Sequence, residues 1–565
     1  MLSEKIAIGV QDFGKLREKK CFYIDKTSFI REWWEKEDDV TLITRPRRFG
    51  KTLNMSMLDY FFSNKYKDRK DLFEGLEIWT DEKYRKIQGS YPVLFLSFAG
   101  IKHADFSNTK KTINSLIVSL YEEFAWILED SRFSVKERDF YRNVTETMDE
   151  STAALSINRL CGLLQRYYGK KSIVLLDEYD TPMQEAYIHG YWEELTSYIR
   201  ALFNNTFKTN PYLERGMMTG ITRVSKESVF SDLNNLNVIT TTSDEYSTAF
   251  GFTEKEAIEA LDRMGIPETE KEKVKYWYDG FTFGEISDIY NPWSITLYLD
   301  KRKFDTHWAN TSGNGLIGKL IREGDKGIKT EFEKLLNGEC IVARIDEQIV
   351  FQQLSKSTQA VWSLLLASGY LKVAEITRKT PDSYPDYHLT LTNHEVKLMF
   401  FRMVEEWFAE GSEFNEFISS MFRGDVRGMN YYMNRVALNT FSCFDAGKKP
   451  SEKKEPERFY HGFVLGLLVD KADQYMVKSN RESGFGRYDV VMEPKDEKDP
   501  AVIMEFKVYD KEDEESSLED TAKNALLQIE EKQYAADLIQ RGIPENRIMR
   551  YGFAFEGEKC LIRKA

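Results

Sequence analysis

The stretch Thr44-Arg45-Pro46-Arg47-Arg48-Phe49-Gly50-Lys51-Thr52 follows an apolar run at Val40 to Ile43 and precedes Leu53 to Phe62, where apolar residues recur at helical spacing. Strand, loop and helix in that order, with Gly-Lys-Thr at the helix start, read as a phosphate-binding loop. Such a loop aims backbone N–H groups and a helix N-terminus at a nucleotide's phosphates, while its Lys reaches the outer phosphates and its hydroxyl residue holds Mg²⁺. Gly50, Lys51 and Thr52 stand where the motif needs them, but Arg45 occupies the place of its first Gly. Arg45, Arg47 and Arg48 are expected to add positive charge near the phosphates.

A partner for this loop stands further along the chain, at Ser172-Ile173-Val174-Leu175-Leu176-Asp177-Glu178. A continuous apolar strand ending in two acids brings one carboxylate to the Mg²⁺ shell and the second to an attacking water. Asp177 is then the metal-side group and Glu178 the base. Another apolar run, Gly216 to Ile221, ends at Thr222-Arg223, which are candidates to sense the outer phosphate. The other reading of Arg223 is a surface residue closing a strand. Tyr91 to Phe98 predicts a buried strand, and Thr109 to Tyr168 a long helical stretch. Before the loop, Gln11-Asp12-Phe13 and Tyr23-Ile24-Asp25-Lys26-Thr27 either lie near a base or sugar or form an ordinary helix cap.

At 565 residues the chain exceeds what one hydrophobic core supports, and about 150 residues per domain suggests three or four units. The texture divides it at 1–285, 286–445 and 446–565. From about Gly251 the texture changes, and Thr253 with Glu256 predicts a capped helix up to Met264. The aromatic stretches Trp277 to Phe281 and Tyr290-Asn291-Pro292-Trp293-Ser294 read as a packed connector, with base stacking as the alternative. Thr358 to Ala367, Tyr370 to Ile376 and Tyr387 to Leu391 suggest a helix and hairpin of winged-helix type. Gly447 to Glu455 is the linker candidate. The formal net charge of −13 argues against a surface that coats polyanions generally, leaving room for a local groove. Five scattered cysteines without a C-x-x-C pair argue against a disulfide framework or a structural zinc site. No apolar run approaches the roughly 20 residues of a membrane span, so a soluble, cytoplasmic protein without a membrane partner is expected.

A second constellation lies beyond the linker. Pro456 to Leu468 predicts a helix with Glu457 and His461 on one face. Tyr488-Asp489-Val490-Val491-Met492 and Ala501-Val502-Ile503-Met504-Glu505-Phe506-Lys507 flank a charged turn and predict a hairpin. If the hairpin is symmetric, Asp489 falls opposite Glu505, and the period of two puts Asp489, Glu505 and Lys507 on one face. Two acids and a Lys among apolar neighbours would be costly as packing alone. A bound metal resolves the cost: two carboxylates bind Mg²⁺, while Lys507 orients or deprotonates a water. The competing reading is a hairpin with one solvated face. A last helix, Asn524 to Ile539, carries Gln528, which would face the site, and Lys532, which would meet a phosphate; a solvated helix face is the other reading of both. Asp510 to Asp520 reads as a loop.

Together, Tyr23-Ile24-Asp25-Lys26-Thr27, the Arg-rich loop through Thr52, Leu176-Asp177-Glu178-Tyr179-Asp180, Tyr290-Asn291-Pro292, Gly486-Arg487-Tyr488-Asp489 and Glu505-Phe506-Lys507 resemble a two-domain bacterial family. Its members join an AAA-ATPase-like domain to a PD-(D/E)XK-superfamily nuclease domain. The resemblance implies an α/β fold: an N-terminal P-loop NTPase domain with a parallel sheet flanked by helices, a helical or winged-helix-like middle, and a C-terminal restriction-endonuclease-like α/β domain. It implies a nuclease site of Glu457, Asp489, Glu505 and Lys507 with Gln528 as an accessory, and it makes Arg45 a family feature. The expected function is ATP binding and hydrolysis coupled to metal-dependent phosphodiester cleavage. ATP and Mg²⁺ serve as cofactors, with Mn²⁺ as an alternative at the nuclease site. Nucleic acid is the partner, DNA ahead of RNA, and a homo-oligomer is compatible. The alternative is a nucleotide-controlled switch whose C-terminal domain binds nucleic acid or protein without cutting.

Overall fold

The apolar run before the loop forms β1 (Val40–Thr44), buried at all five residues. With β2 (Val93–Ser97), β3 (Ser172–Asp177), β4 (Leu213–Gly220) and β5 (Leu236–Ile239) it makes a parallel sheet in the order β2-β3-β4-β1-β5. Strands of this kind are covered on both faces, which is why they read as unbroken apolar runs. The register pairs Thr44 with Gly220 and Ser97 with Asp177. The segments that follow β1, β3 and β4 are therefore gathered along one edge, where open α/β sheets take their ligands.

The computed structural model describes residues 5–223, 230, 233–308, 314–322, 324, 326–346, 354, 357–378, 380, 383–409, 414–440, 474–483, 486–496, 498–509, 515–556 and 559–565. The loop leads into the helix Lys51–Phe62, entered through Gly50 at φ 84°. The single helical stretch expected from Thr109 to Tyr168 is instead Phe106–Glu122, Val135–Asn143 and Glu150–Tyr168. Each restart has its own local signal: a capping box of Ser134 with Glu137, and Asp149 accepting from the Thr152 amide. Helical periodicity runs on across such breaks, so the pattern alone hides them.

In the middle of the chain Thr253 and Glu256 form the expected capping box, starting the helix Glu254–Arg263. The aromatic stretches are core: Tyr278, Tyr290 and Tyr298 pack with Phe22, Ile24 and Phe252. The helix Thr358–Ala367 is followed by the antiparallel strands Leu371–Thr377 and Asp386–Leu391, to which Ile341–Ala343 adds a third. All these belong to one compact unit, Met1–Leu316 with Cys340–Val396; the other is Ile317–Glu339 with Lys397–Ala565. The middle third is thus divided between two units. Its strands pair within the first, whereas Phe332 packs on Phe400, 5.0 Å between ring centres, within the second.

The second unit holds a mixed sheet in the order Tyr475–Ser483, Gly486–Pro494, Ala501–Val508, Ile548–Glu556 and Lys559–Lys564. Only the pairing of Ala501–Val508 with Ile548–Glu556 is parallel. Both faces are buried. Val490, Met492, Val502, Met504 and Phe506 join one core, and Val491, Ala501 and Ile503 another. A hairpin with one solvated face is thereby ruled out. The expected last helix is two, Leu518–Glu531 and Ala536–Gln540, with Gln533 left-handed at φ 51° between them. The linker candidate, the helix expected over Pro456 to Leu468, and residues 510–514 lie outside the described residues. Among the described residues no helix is long and apolar enough to cross a membrane, and Cys21, Cys161, Cys340 and Cys560 are free thiols.

Gly220, at the tip of β4, lets two strand ends approach: a Cβ there would lie 2.7 Å from the Tyr179 ring and 2.8 Å from the Asp180 carboxylate. Gly220→Ala is expected to cost about 1–3 kcal/mol of unfolding free energy, the usual penalty of overpacking. Gly100→Ala, where a Cβ meets open space, serves as the near-neutral control in the same urea titration.

Candidate functional site

At the carboxyl edge of the parallel sheet, a cavity of about 580 Å³ opens along the loop and is lined by Arg47, Arg48, Gly50, Lys51, Thr52 and Glu178. Apolar side chains line it as well, among them Ile8, Val10, Phe22, Ile24 and Phe252, and residues 7–11 all contribute to the wall. The volume and the mixture of charged and apolar lining suit a nucleotide.

At the loop, the buried Lys51 ammonium donates to the carbonyls of Arg45 and Pro46, 2.9 Å each. Burial lowers its pKa from the ordinary value, opposed by the charges of Glu178, Asp180 and Asp177. The Thr52 hydroxyl donates to Asp177 Oδ2 at 2.8 Å, and the Thr219 hydroxyl to Oδ1 at 2.6 Å. Burial raises the Asp177 carboxyl above its usual value, while those two hydroxyls pull it back. A hydroxyl and a carboxylate in contact beside the loop are the hard oxygen donors that suit Mg²⁺. Glu178 sits at φ 52°, a left-handed turn that carries its carboxylate off the strand direction, where it accepts from the Thr181 hydroxyl at 3.2 Å.

The arginines divide. Arg47 reaches Gln184 at 3.4 Å, and Arg48 lies 4.1 Å over the Trp293 ring, both along the cavity. Arg45, expected beside the phosphates, is fully buried elsewhere. Its guanidinium donates to the carbonyls of Thr44, Thr240, Glu245 and Tyr246 and stacks 4.5 Å over Phe283. Arg45 continues β1 by donating its own amide to the Gly220 carbonyl. Its side chain therefore braces the 240–246 turn from a position where a Gly could not.

Thr222 is also structural in its contacts. The buried Asp180 Oδ2 accepts from the Ile221 amide, the Thr222 amide and the Thr222 hydroxyl at 2.8 to 3.0 Å. Arg223 is half-buried beside a small recess with Thr44 and Thr240, apart from the large cavity. In the prelude, Asp25 accepts from Thr27 and from the Glu77 amide, while Lys26 pairs with Glu256 at 2.6 Å. Tyr23, Ile24 and Lys26 line the cavity. Neither Thr219 nor Asp180 has a role of its own in the sequence: Thr219 lies within the apolar run Gly216 to Ile221, and Asp180 enters only as the last residue of Leu176-Asp177-Glu178-Tyr179-Asp180.

In the second unit, the expected hairpin forms, pairing Val490 with Met504, Val491 with Ile503 and Met492 with Val502, and Asp489 and Glu505 each lie one residue beyond the last of these pairs. Glu505 is buried, and its carboxylate accepts from the Gln528 amide, which also donates to the Tyr534 hydroxyl at 3.2 Å. Gly552, the parallel neighbour of Glu505, is what lets the helix come so close: a Cβ there would lie 2.6 Å from the Ala522 carbonyl. Lys507, two residues on, is half-buried. The Asp489 side chain and all of Glu457 lie outside the described residues.

Residues 7–230 match the family model described as predicted AAA-ATPase, and residues 455–565 match that of the PD-(D/E)XK nuclease superfamily. The chain is 27% identical over 400 residues to an uncharacterized protein in the vnfD 5′ region of Azotobacter chroococcum mcd 1, covering 70% of this chain and 69% of that one. It is also similar over 80% of its length to the crystal structure of a signal transduction ATPase with numerous domains, carrying a tetratricopeptide repeat sensor, from Pyrococcus horikoshii. There the identity is 11% and the TM-score 0.24, and this chain spans about half of that one, 54%. With its parallel sheet, its phosphate-loop edge and its mixed C-terminal sheet, the chain joins a predicted AAA-ATPase-like domain at residues 7–230 to a PD-(D/E)XK nuclease superfamily domain at residues 455–565.

Proposed function

We propose that this chain binds and hydrolyses ATP at the sheet edge and couples that to metal-dependent cleavage of nucleic acid by its second unit. The observation that carries the reading is the contact of Thr52 with Asp177 beside Lys51, at a cavity of nucleotide size. Thr52 and Asp177 would hold the Mg²⁺ that neutralises charge on the outer phosphates. Lys51 exchanges its two carbonyls for the phosphates, and Arg47 and Arg48 supply further charge from the cavity wall. Glu178 orients and deprotonates the attacking water. In the second unit, Asp489 and Glu505 would hold a divalent ion, which supplies charge neutralisation at the scissile phosphate. Gln528 fixes the Glu505 carboxylate, and Lys507 handles the water. DNA is the expected substrate ahead of RNA.

Lys51→Ala is expected to lose on the order of 100-fold in ATP affinity, as removal of a buried charge-assisted partner does. Unchanged affinity by calorimetry would remove the loop from the site. Glu505→Gln is expected to lower Mg²⁺- or Mn²⁺-dependent cleavage of linear DNA by more than the roughly 100-fold that a merely supporting residue costs. Tight ATP binding without turnover, with no cleavage in the parent chain, would favour the nucleotide-controlled switch.

The raised pKa of Asp177 has a sign that can be measured. A carboxyl that holds its proton more tightly folded than unfolded adds stability below its unfolded value, and that stability is lost as pH climbs through the folded one. Asp177→Asn, which cannot ionise, is therefore expected to unfold at a higher temperature than the parent when nucleotide-free. The gap should widen as pH rises from about 4, the ordinary carboxylate value. A gap that narrows as pH rises would contradict the assignment.

A further inference from the structure

Three successive carbonyls of the phosphate loop are all engaged. Those of Arg45 and Pro46 accept from Lys51. That of Arg47 accepts from Trp308 Nε1 at 2.9 Å and Asn291 Nδ2 at 3.3 Å. The second pair of donors comes from outside residues 7–230. Asn291 is buried and also caps the helix Pro292–Lys301 through its other side-chain atom, which accepts from the Trp293 and Ser294 amides. Trp308 is buried between Phe281 and Tyr370, each 5.4 Å away between ring centres. The same region grips the rest of the loop. Phe49 packs on Phe281 at 4.8 Å, and Pro46 lies so close to Gly369 that a Cβ there would come within 2.8 Å of it.

From Trp308 the chain of bonds continues. Its backbone amide donates to Glu395 Oε1 at 2.5 Å, and the Ser294 hydroxyl donates to Oε2 at 2.8 Å. Glu395 is fully buried, in the first turn of the helix His394–Ala409. That helix begins in the first unit and continues into the second, which resumes at Lys397. A buried carboxylate does not give up its donors cheaply, so it moves with them. The close-packed rings around Trp308 pass on a displacement rather than absorb it.

We infer that Trp308 and Glu395 are positioning residues that couple the phosphate loop to the helix His394–Ala409. The inference rests on ATP binding at the loop. When Lys51 turns to the phosphates it releases the Arg45 and Pro46 carbonyls, and the loop rearranges about its left-handed residues Arg48 and Gly50. The Arg47 carbonyl is then the remaining tie, and its shift draws on Trp308 and, through the Trp308 amide, on Glu395. Nucleotide occupancy is thereby felt at the start of a helix that enters the nuclease-bearing unit.

The test is hydrogen exchange on the full chain with and without Mg²⁺ and the non-hydrolysable analogue AMP-PNP. In the parent chain, amides of residues 394–409 are expected to change protection by about fivefold or more, the low end of allosteric coupling. In Trp308→Phe, which keeps the ring but loses the indole donor, and in Glu395→Gln, that change should shrink while AMP-PNP affinity by calorimetry is retained. If Glu395→Gln fails to fold, judged by its thermal midpoint, Trp308→Phe decides alone. Bound nucleotide with no change at 394–409 in the parent, or an undiminished change in the variants, overturns the coupling and leaves the ATP site standing. So does loss of affinity in step with loss of the change. A parent chain that does not bind AMP-PNP overturns both.

Discussion

A carboxylate buried at the end of a parallel strand must be answered by donors, and much of the first unit is arranged around answering two of them. Asp177 is held by the hydroxyls of Thr52 and Thr219, and Asp180 by two amides and a hydroxyl at Ile221 and Thr222. These bonds tie the end of β3 to the end of β4 and to the helix that follows the loop. The strand ends are thus held together by the same groups the chemistry would use. Burial that raises both carboxyls is a cost to the nucleotide-free fold, and it leaves oxygen donors ready for a cation.

The second unit solves the related problem differently. Glu505 lies on a sheet buried on both faces, and a single helix supplies its amide partner from Gln528. That geometry depends on a missing side chain at Gly552, since any Cβ there would push the helix off the sheet. One acid is served by hydroxyls from neighbouring strands and loops, the other by an amide whose reach is set by backbone approach. In both, an unremarkable residue type sets the position of a charged one.

What the sequence disclosed follows from periodicity and local start signals. The loop, the buried strands before Asp177 and Thr222, the capping box at Thr253 and the hairpin that pairs Val490 with Met504 each depend on residues near in sequence or on a symmetric turn. The direction of Arg45 was not legible, because a residue closing a strand can face the ligand edge or the adjoining turn, and the Thr240 to Tyr246 carbonyls that capture it are about 200 residues away. The breaks between Glu122 and Glu150 were hidden by apolar spacing that continues through them. The division of the middle third is a matter of long-range pairing, to which no local pattern points. Asn291 sits in a stretch that reads as a packed connector, and Trp308 has no local signal; their hydrogen bonds to Arg47 are visible only once the fold brings them together.

The anchoring of Arg47 from Trp308 and Glu395 also has a meaning in time. At ribosomal speeds of about 5–20 residues per second, the roughly 350 residues between Arg47 and Glu395 take on the order of half a minute to synthesise. Lys51 and Asp177 emerge in the first half of that interval, and the last strand of the sheet soon after its midpoint. A nascent chain therefore carries the loop and the strand-end carboxylates before it carries the residues that brace them. The order of synthesis delays a fully supported phosphate loop until the first turn of the helix through which the chain returns to the second unit has been made.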